Sequence, residues 1–395
     1  MRKCAVAGDL KMKTHVETDY MNCTGCGTCA KVCPIQAIRL VEDRRGFLFP
    51  WVDGDKCISC GKCVNSCQLE TKESDHNILD VFALQIKDKR ILNESSSGGA
   101  FSAVAMNTLE KGGVVYGCVF DSECVAVYRR ASRVEEIAPM RGSKYVWADA
   151  SACYESVRND LEAGLHVLFC ALPCQVTGLT LYLRKSYSNL IIMDFLCGGP
   201  PSPKAFKGYV NQLVSDREKS ELHFRFRDKE KNGTGYGLSF MTKGKKVFID
   251  PEMSSYMYLF SNKLVQRDAC YHCKYRGVHR DADLTVGDYW GVKEVFPEFD
   301  DNAGVSFIIA NTDTGLKVVH ELKDSCLLLR TSVNDIARHN IIRIDNSIKE
   351  ITIPKERDAF FKLLHEKGYR IASLKYTITI KRIKSVIVKV MKLRK

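Results

Sequence analysis

The chain has 395 residues, 45% of them hydrophobic, with 18 cysteines and a formal charge of +12. That is room for a small module plus one large or two medium domains, it is no short disulfide-stapled secreted scaffold, and no apolar stretch is long enough to span a bilayer. No nucleic-acid motif accompanies the positive charge, which leaves anionic membrane or acidic partners to meet it.

Met1-Arg2-Lys3 leads into an apolar run too short for a secretory leader. A reducing cytoplasm is therefore expected, with the cysteines kept for metal. Two cysteine runs follow. Cys23, Cys26, Cys29 and Cys33-Pro34 form C-x2-C-x2-C-x3-C-P, and Cys57, Cys60, Cys63 and Cys67 repeat the spacing with Gln68 in place of the proline. Three closely spaced thiolates wrap one iron–sulfur cube and the fourth reaches the other cube. The assignment is Cys23, Cys26, Cys29 and Cys67 on one [4Fe–4S] cluster, with Cys57, Cys60, Cys63 and Cys33 on the other. Zinc sites leave wider gaps between ligand pairs. Residues 15–72 thus read as a ferredoxin-like two-cluster domain, and the polar residues 73–77 as a linker.

From residue 79 onward, strands alternate with helices. Leu79–Ile86, Val114–Phe120, Val125–Arg130, Val167–Ala171, Leu190–Leu196, Leu284–Tyr289 and Val305–Ala310 read as buried strands. Residues 100–111, 151–163, 175–185, 204–215, 313–323 and 355–367 have helical spacing. Residues 222–250 read as antiparallel hairpins with Gly233–Gly237 at a turn. The expected fold is mixed, α+β to α/β: the small cluster domain, a larger α/β domain of the flavin-binding type over residues 78–368, and a basic C-terminal helix.

Within the large domain, Ser95-Ser96-Ser97-Gly98-Gly99 precedes a helix, where small residues let backbone N–H groups approach a phosphate; a plain loop is the alternative. Arg141-Gly142-Ser143-Lys144-Tyr145 adds two cations, a hydroxyl and a ring suited to a dinucleotide, or else makes a solvated face. Cys174 and Cys197 sit at strand ends, where ligands gather in open α/β sheets, and Cys270 and Cys273 form a CxxC. These four thiolates can hold a third cluster or form a redox site; alternatively Cys174 and Cys197 are buried small hydrophobes. Asp283 to Gly291 runs from a strand into an aromatic turn. There is no P-loop and no hydrolytic triad, and the nine histidines show no metal spacing.

Residues 370–395 read as a basic amphipathic tail. Ile383, Val386, Ile387, Val390 and Met391 share a helical face and Lys384, Lys389, Lys392, Arg394 and Lys395 lie elsewhere. Such a helix lies on anionic lipid at the inner face of the membrane or on a partner, or docks on its own domain.

Taken in order, Ser96–Phe101, Gly142–Val146, Pro173–Gln175, Asp194 with Cys197, Pro201–Pro203, Cys270 with Cys273, Ala282-Asp283 and Gly287–Gly291 resemble the coenzyme F420 hydrogenase/dehydrogenase beta-subunit family. The resemblance implies an oxidoreductase that binds FAD and passes electrons between iron–sulfur clusters and a hydride donor or acceptor. The substrate would be an F420-type deazaflavin or another reducible small molecule, and the redox partner a ferredoxin or similar protein. Ser96, Ser97, Gly98, Gly99, Ser143, Lys144 and Tyr145 are the candidate flavin site. Ala171-Leu172 replaces the family's frequent Gly-Thr, Gly198 a frequent histidine, and Pro200 a small aliphatic residue. The rival readings are a non-catalytic electron-transfer subunit, with clusters but no flavin, and a redox sensor built on Cys270 and Cys273.

Overall fold

A computed structural model describes residue 16 and residues 19–70, 78–232, 237–278, 280–299, 302–340, 344 and 350–377. The expected linker 73–77, most of the Gly233–Gly237 turn and the apolar and basic faces of the tail lie outside the described residues.

The cluster domain is built on one hairpin, β1 (Ile38–Glu42) against β2 (Leu48–Val52). Asp43 makes the turn: its Oδ1 accepts the backbone N–H groups of Arg45 at 2.9 Å and Phe47 at 3.0 Å. The hairpin tip docks on the large domain. Lys204 Nζ donates to the Arg44 carbonyl at 3.2 Å, Ser202 Oγ donates to that of Arg45, and the Arg45 guanidinium pairs with Asp268.

The large domain is built on eight strands: β3 (Asp80–Ile86), β4 (Val114–Phe120), β5 (Ala126–Ala131), β6 (Val167–Cys170), β7 (Leu190–Phe195), β10 (Leu284–Asp288), β11 (Ser306–Ala310) and β12 (Cys326–Thr331). They form one mixed sheet in the order β12-β3-β11-β10-β7-β6-β4-β5. Its centre, β10-β7-β6-β4, is parallel, while β11, β3, β12 and β5 pair antiparallel at the flanks. Central strands buried on both faces explain the near-continuous apolar runs. Tyr116, Phe169 and Ile192 pack to one face with the helices Tyr154–Glu162 and Pro173–Leu183. Val115, Leu168, Met193 and Ile308 pack to the other with the helix Ala100–Glu110.

Two features sharpen the expectation. The hairpin within 222–250 is β8 (Leu238–Thr242) with β9 (Lys245–Ile249), and its turn is Lys243-Gly244, both at positive φ, as a tight hairpin turn demands. The helix expected to end at 367 runs Arg357–Thr377, with a break at Gly368. Beyond the break, Tyr369 and Ala372 are buried, and the Tyr369 hydroxyl bonds Ser255 Oγ at 3.0 Å. The first residues of the expected tail therefore belong to the packed domain. Among the described residues no helix is long and apolar enough to cross a membrane.

Candidate functional site

The fold gathers twelve cysteines into three sets. Cys29 lies within electrostatic reach of Cys26, Cys23 and Cys67. Cys33, Cys57, Cys60 and Cys63 line one small cavity with Ile35, Ile38 and Ile58. Cys174 lies within reach of Cys197, Cys273 and Cys270. The first grouping sets Cys67 beside Cys23, Cys26 and Cys29, and the second sets Cys33 beside Cys57, Cys60 and Cys63.

Backbone N–H groups already point at several of these sulfurs: Ala37 N at Cys33 Sγ (3.2 Å), Val16 N at Cys63 Sγ (3.2 Å) and Gly199 N at Cys197 Sγ (3.4 Å). Burial pushes the Cys23 thiol up to about 11 against the pull of Arg267. Burial and neighbouring thiols raise Cys29 and Cys174 further. Thiolates so enclosed are stable with a cation among them, which suits an iron–sulfur core. Among the described residues no three His, Cys, Asp or Glu side chains converge tightly enough for a single metal ion. The donor chemistry, cysteine thiols with backbone N–H groups aimed at their sulfurs, is of the kind that a [4Fe–4S] cluster takes.

The sets form a series between an exposed end and a cavity. Cys60 is exposed. Cys26 lies within reach of Cys174, and a Cβ on Gly178, in the helix that begins at Pro173, would stand 2.8 Å from Cys26 Cβ. Cys197, just past the end of β7, lines a cavity of about 270 Å³.

This cavity opens at the carboxyl ends of the parallel strands, walled by Cys118 of β4, Cys170 of β6, Phe195 of β7 and Val286 of β10. Crossover topology places a ligand crevice there. Of the candidate flavin residues, Ser96, Ser97, Gly99, Ser143, Lys144 and Tyr145 line it. The two segments meet where Ser143 N donates to Ser96 Oγ at 2.8 Å, and Gly99 caps the helix Ala100–Glu110 at the cavity wall.

Gly98 plays another part. A Cβ there would stand 2.1 Å from the Leu84 carbonyl oxygen, and its N–H bonds Ser306 Oγ at 2.9 Å, so this glycine lets the loop lie on the sheet. The two cations also differ from expectation. Lys144 Nζ donates to the carbonyls of Pro139, Met140 and Arg141 at 2.8–2.9 Å, and Arg141 pairs with Glu94 at 2.5 Å. Both shape the loop. Packing around the Lys144 ammonium pulls it down to about 8.

Further residues complete the wall. Gln175 accepts from Tyr128 OH at 2.9 Å and donates to the Ala148 carbonyl at 2.5 Å. Phe260 stacks on Tyr145 with ring centroids 5.0 Å apart, and Asp288 pairs with Arg227 at 2.5 Å. Behind the wall, burial raises the Asp194 carboxyl to about 6 while Arg280, at 3.9 Å, pulls it back. These contacts are long-range, and no local spacing announces them.

Three family models match the chain. Two describe the coenzyme F420 hydrogenase/dehydrogenase beta subunit, its C-terminal part over residues 165–335 and its N-terminal part over 81–154. The third is a 4Fe-4S dicluster domain over 22–71. A coenzyme F420-dependent sulfite reductase from Methanocaldococcus jannaschii is 41% identical over 362 residues, 88% of this chain and 53% of that protein. One component of the Na(+)-translocating ferredoxin:NAD(+) oxidoreductase complex from Acetobacterium woodii is 53% identical over 45 residues, 11% of this chain and 12% of that component. The chain therefore spans about half the length of the first relative (53%) and a small part of the second (12%). A solved structure of the F420-reducing [NiFe] hydrogenase complex from Methanosarcina barkeri aligns over 77% of this chain and 94% of its own, with a TM-score of 0.45 and 16% identity. With the N- and C-terminal models matched in order behind a 4Fe–4S domain, the chain belongs to the coenzyme F420 hydrogenase/dehydrogenase beta-subunit family.

Proposed function

We propose that the chain is an iron–sulfur flavoprotein oxidoreductase. The cysteine sets would hold iron–sulfur clusters that accept single electrons from a ferredoxin-like donor at the exposed Cys60 end, and the cavity would hold FAD, which supplies hydride exchange with an F420-type deazaflavin or another reducible small molecule. The direction can reverse with the potentials of donor and acceptor. One observation carries this reading: the three thiol sets lie in series and the last of them, through Cys197, forms part of the cavity wall. Flavin supplies the chemistry that joins single-electron carriers to two-electron substrates.

The protein's own groups have separable tasks. Cys33, Cys57, Cys60 and Cys63 hold the outermost cluster, Cys23, Cys26, Cys29 and Cys67 the next, and Cys174, Cys197, Cys270 and Cys273 a third. The Ser96–Ser143 contact and the helix N-terminus at Gly99 present hydroxyls and free N–H groups to an anionic part of the flavin. The Tyr145–Phe260 stack and Val286 give the cavity an apolar side that excludes water. Deazaflavin as substrate is supported by the family and by the name of the sulfite reductase relative. The cytoplasm is the proposed location.

Anaerobic rapid mixing tests the proposal. Reconstituted protein mixed with a reduced ferredoxin should bleach the flavin absorbance after the cluster absorbance. Cluster reduction with no bound flavin to follow would leave an electron-transfer subunit instead.

A further inference from the structure

Arg267 is 1% exposed and sits between two of the thiol sets. Its Nη1 donates to the Cys23 carbonyl at 3.2 Å and its Nη2 to that of Leu48 at 3.0 Å. Its own carbonyl accepts the Cys270 N–H at 3.1 Å. One residue thus touches the backbone of a cysteine from each set. Its guanidinium is within electrostatic reach of Cys23, Cys270 and Cys174.

The charge has no ordinary partner. Among the described residues no carboxylate forms an ion pair with Arg267, and its buried Nε has no hydrogen-bond acceptor. Asp43 acts on it more weakly than the cysteines do and is bonded to Arg45. The neighbouring Asp268 is taken by Arg45 and Arg357. The rings of Phe47, Phe49 and Trp147 surround the guanidinium at 4.8, 4.5 and 5.2 Å. Ring faces attract a cation but do not neutralise it. A buried, unpaired guanidinium is costly, and such charges persist where an anion faces them. The groups that face it most strongly here are cysteines, which become anionic on binding an iron–sulfur core.

We propose that Arg267 is a positioning residue: the fixed counter-cation shared by the cluster site at Cys23 and the site at Cys174 and Cys270, raising the reduction potential of both. Passage between them moves one electron from one site to the other. Arg267 is neither oxidised, reduced nor deprotonated; it makes the extra negative charge on either side less costly. A cation that acts on both shifts the two potentials in the same sense, so the difference between them changes less than either potential. The inference rests on the cluster assignment above.

The test uses the full chain, reconstituted anaerobically, as wild type, Arg267→Lys, Arg267→Gln and Arg267→Met. Iron is counted first, then each cluster's potential is read by redox titration followed by electron paramagnetic resonance. In the two neutral variants, reduction at two sites should become at least tenfold less favourable, with the Cys33/Cys57/Cys60/Cys63 site unmoved. Arg267→Lys should hold close to wild type. Wild-type potentials in a loaded neutral variant, or equal shifts in the lysine and neutral variants, would overturn the proposal. If neither neutral variant loads its inner irons, retention in Arg267→Lys supports the need for charge, and loss in all three contradicts it. Failure of the cluster assignment would show separately, as missing iron in wild type.

Discussion

Gln68 Nε2 donates to the carbonyl oxygen of Cys174 at 3.2 Å, joining the residue after the last N-terminal cluster cysteine to the first cysteine of the inner set. The same amide donates to Thr24 Oγ1 at 2.8 Å and accepts from the Tyr275 hydroxyl. A proline at this position, as in the ferredoxin pattern, would supply none of these bonds. Replacing Gln68 by alanine leaves several buried groups unpaired and should destabilise the loaded protein by about 2–4 kcal/mol. Denaturant unfolding under anaerobic conditions reads this, with the iron content of the folded variant unchanged.

The Ser96 hydroxyl and Gly98 should separate site from scaffold. Ser96→Ala removes the acceptor for Ser143 N and should weaken flavin binding roughly tenfold while costing about 1 kcal/mol of stability. Gly98→Ala drives a Cβ to 2.1 Å from the Leu84 carbonyl and 2.4 Å from Ser306 N. It should destabilise the domain by about 3 kcal/mol or more. Equilibrium flavin titration beside thermal unfolding distinguishes the two effects.

Cys270 and Cys273 lie within reach of Cys174 and away from the N-terminal runs in sequence. The double replacement Cys270→Ala with Cys273→Ala should lower the iron count by about four per chain and leave about eight in place. Flavin binding should survive while its reduction by a ferredoxin slows severely. Iron assay and rapid mixing on one preparation give both results.

Asp194 makes stability fall as pH rises. Its buried carboxyl titrates near 6, above the ordinary carboxylate range. Between about pH 4 and 6 the folded chain therefore holds a proton that the unfolded chain has lost. The stability tied to this proton is present below about 4 and lost through 6, on the order of 2–3 kcal/mol in all. Part of that slope should be missing from Asp194→Asn. Anaerobic unfolding of both proteins at pH 5 and pH 8 checks it.

Legibility from sequence followed the range of the interactions. The Cys23–Cys33 and Cys57–Cys67 runs are local, so their spacing was legible as a 4Fe–4S domain. The parallel strands β4, β6 and β7 announced themselves as apolar runs flanked by helical segments, whereas β12, exposed along one side, carries a weaker pattern and was not foreseen. Ser96 and Ser143 were expected near one ligand, and they do meet. That Lys144 would turn to three backbone carbonyls, and Gln68 to Cys174, depends on chain segments brought together by the sheet. Arg267 gave no signal at all, since an arginine three residues before a CxxC is ordinary until its surroundings prove apolar.

Iron, sulfide and flavin per chain after anaerobic reconstitution test the central claim most directly. Three clusters in series ending at a flavin cavity predict about twelve irons, as many sulfides and one flavin. About eight irons, or a full iron count with no flavin bound at any concentration tried, would contradict it.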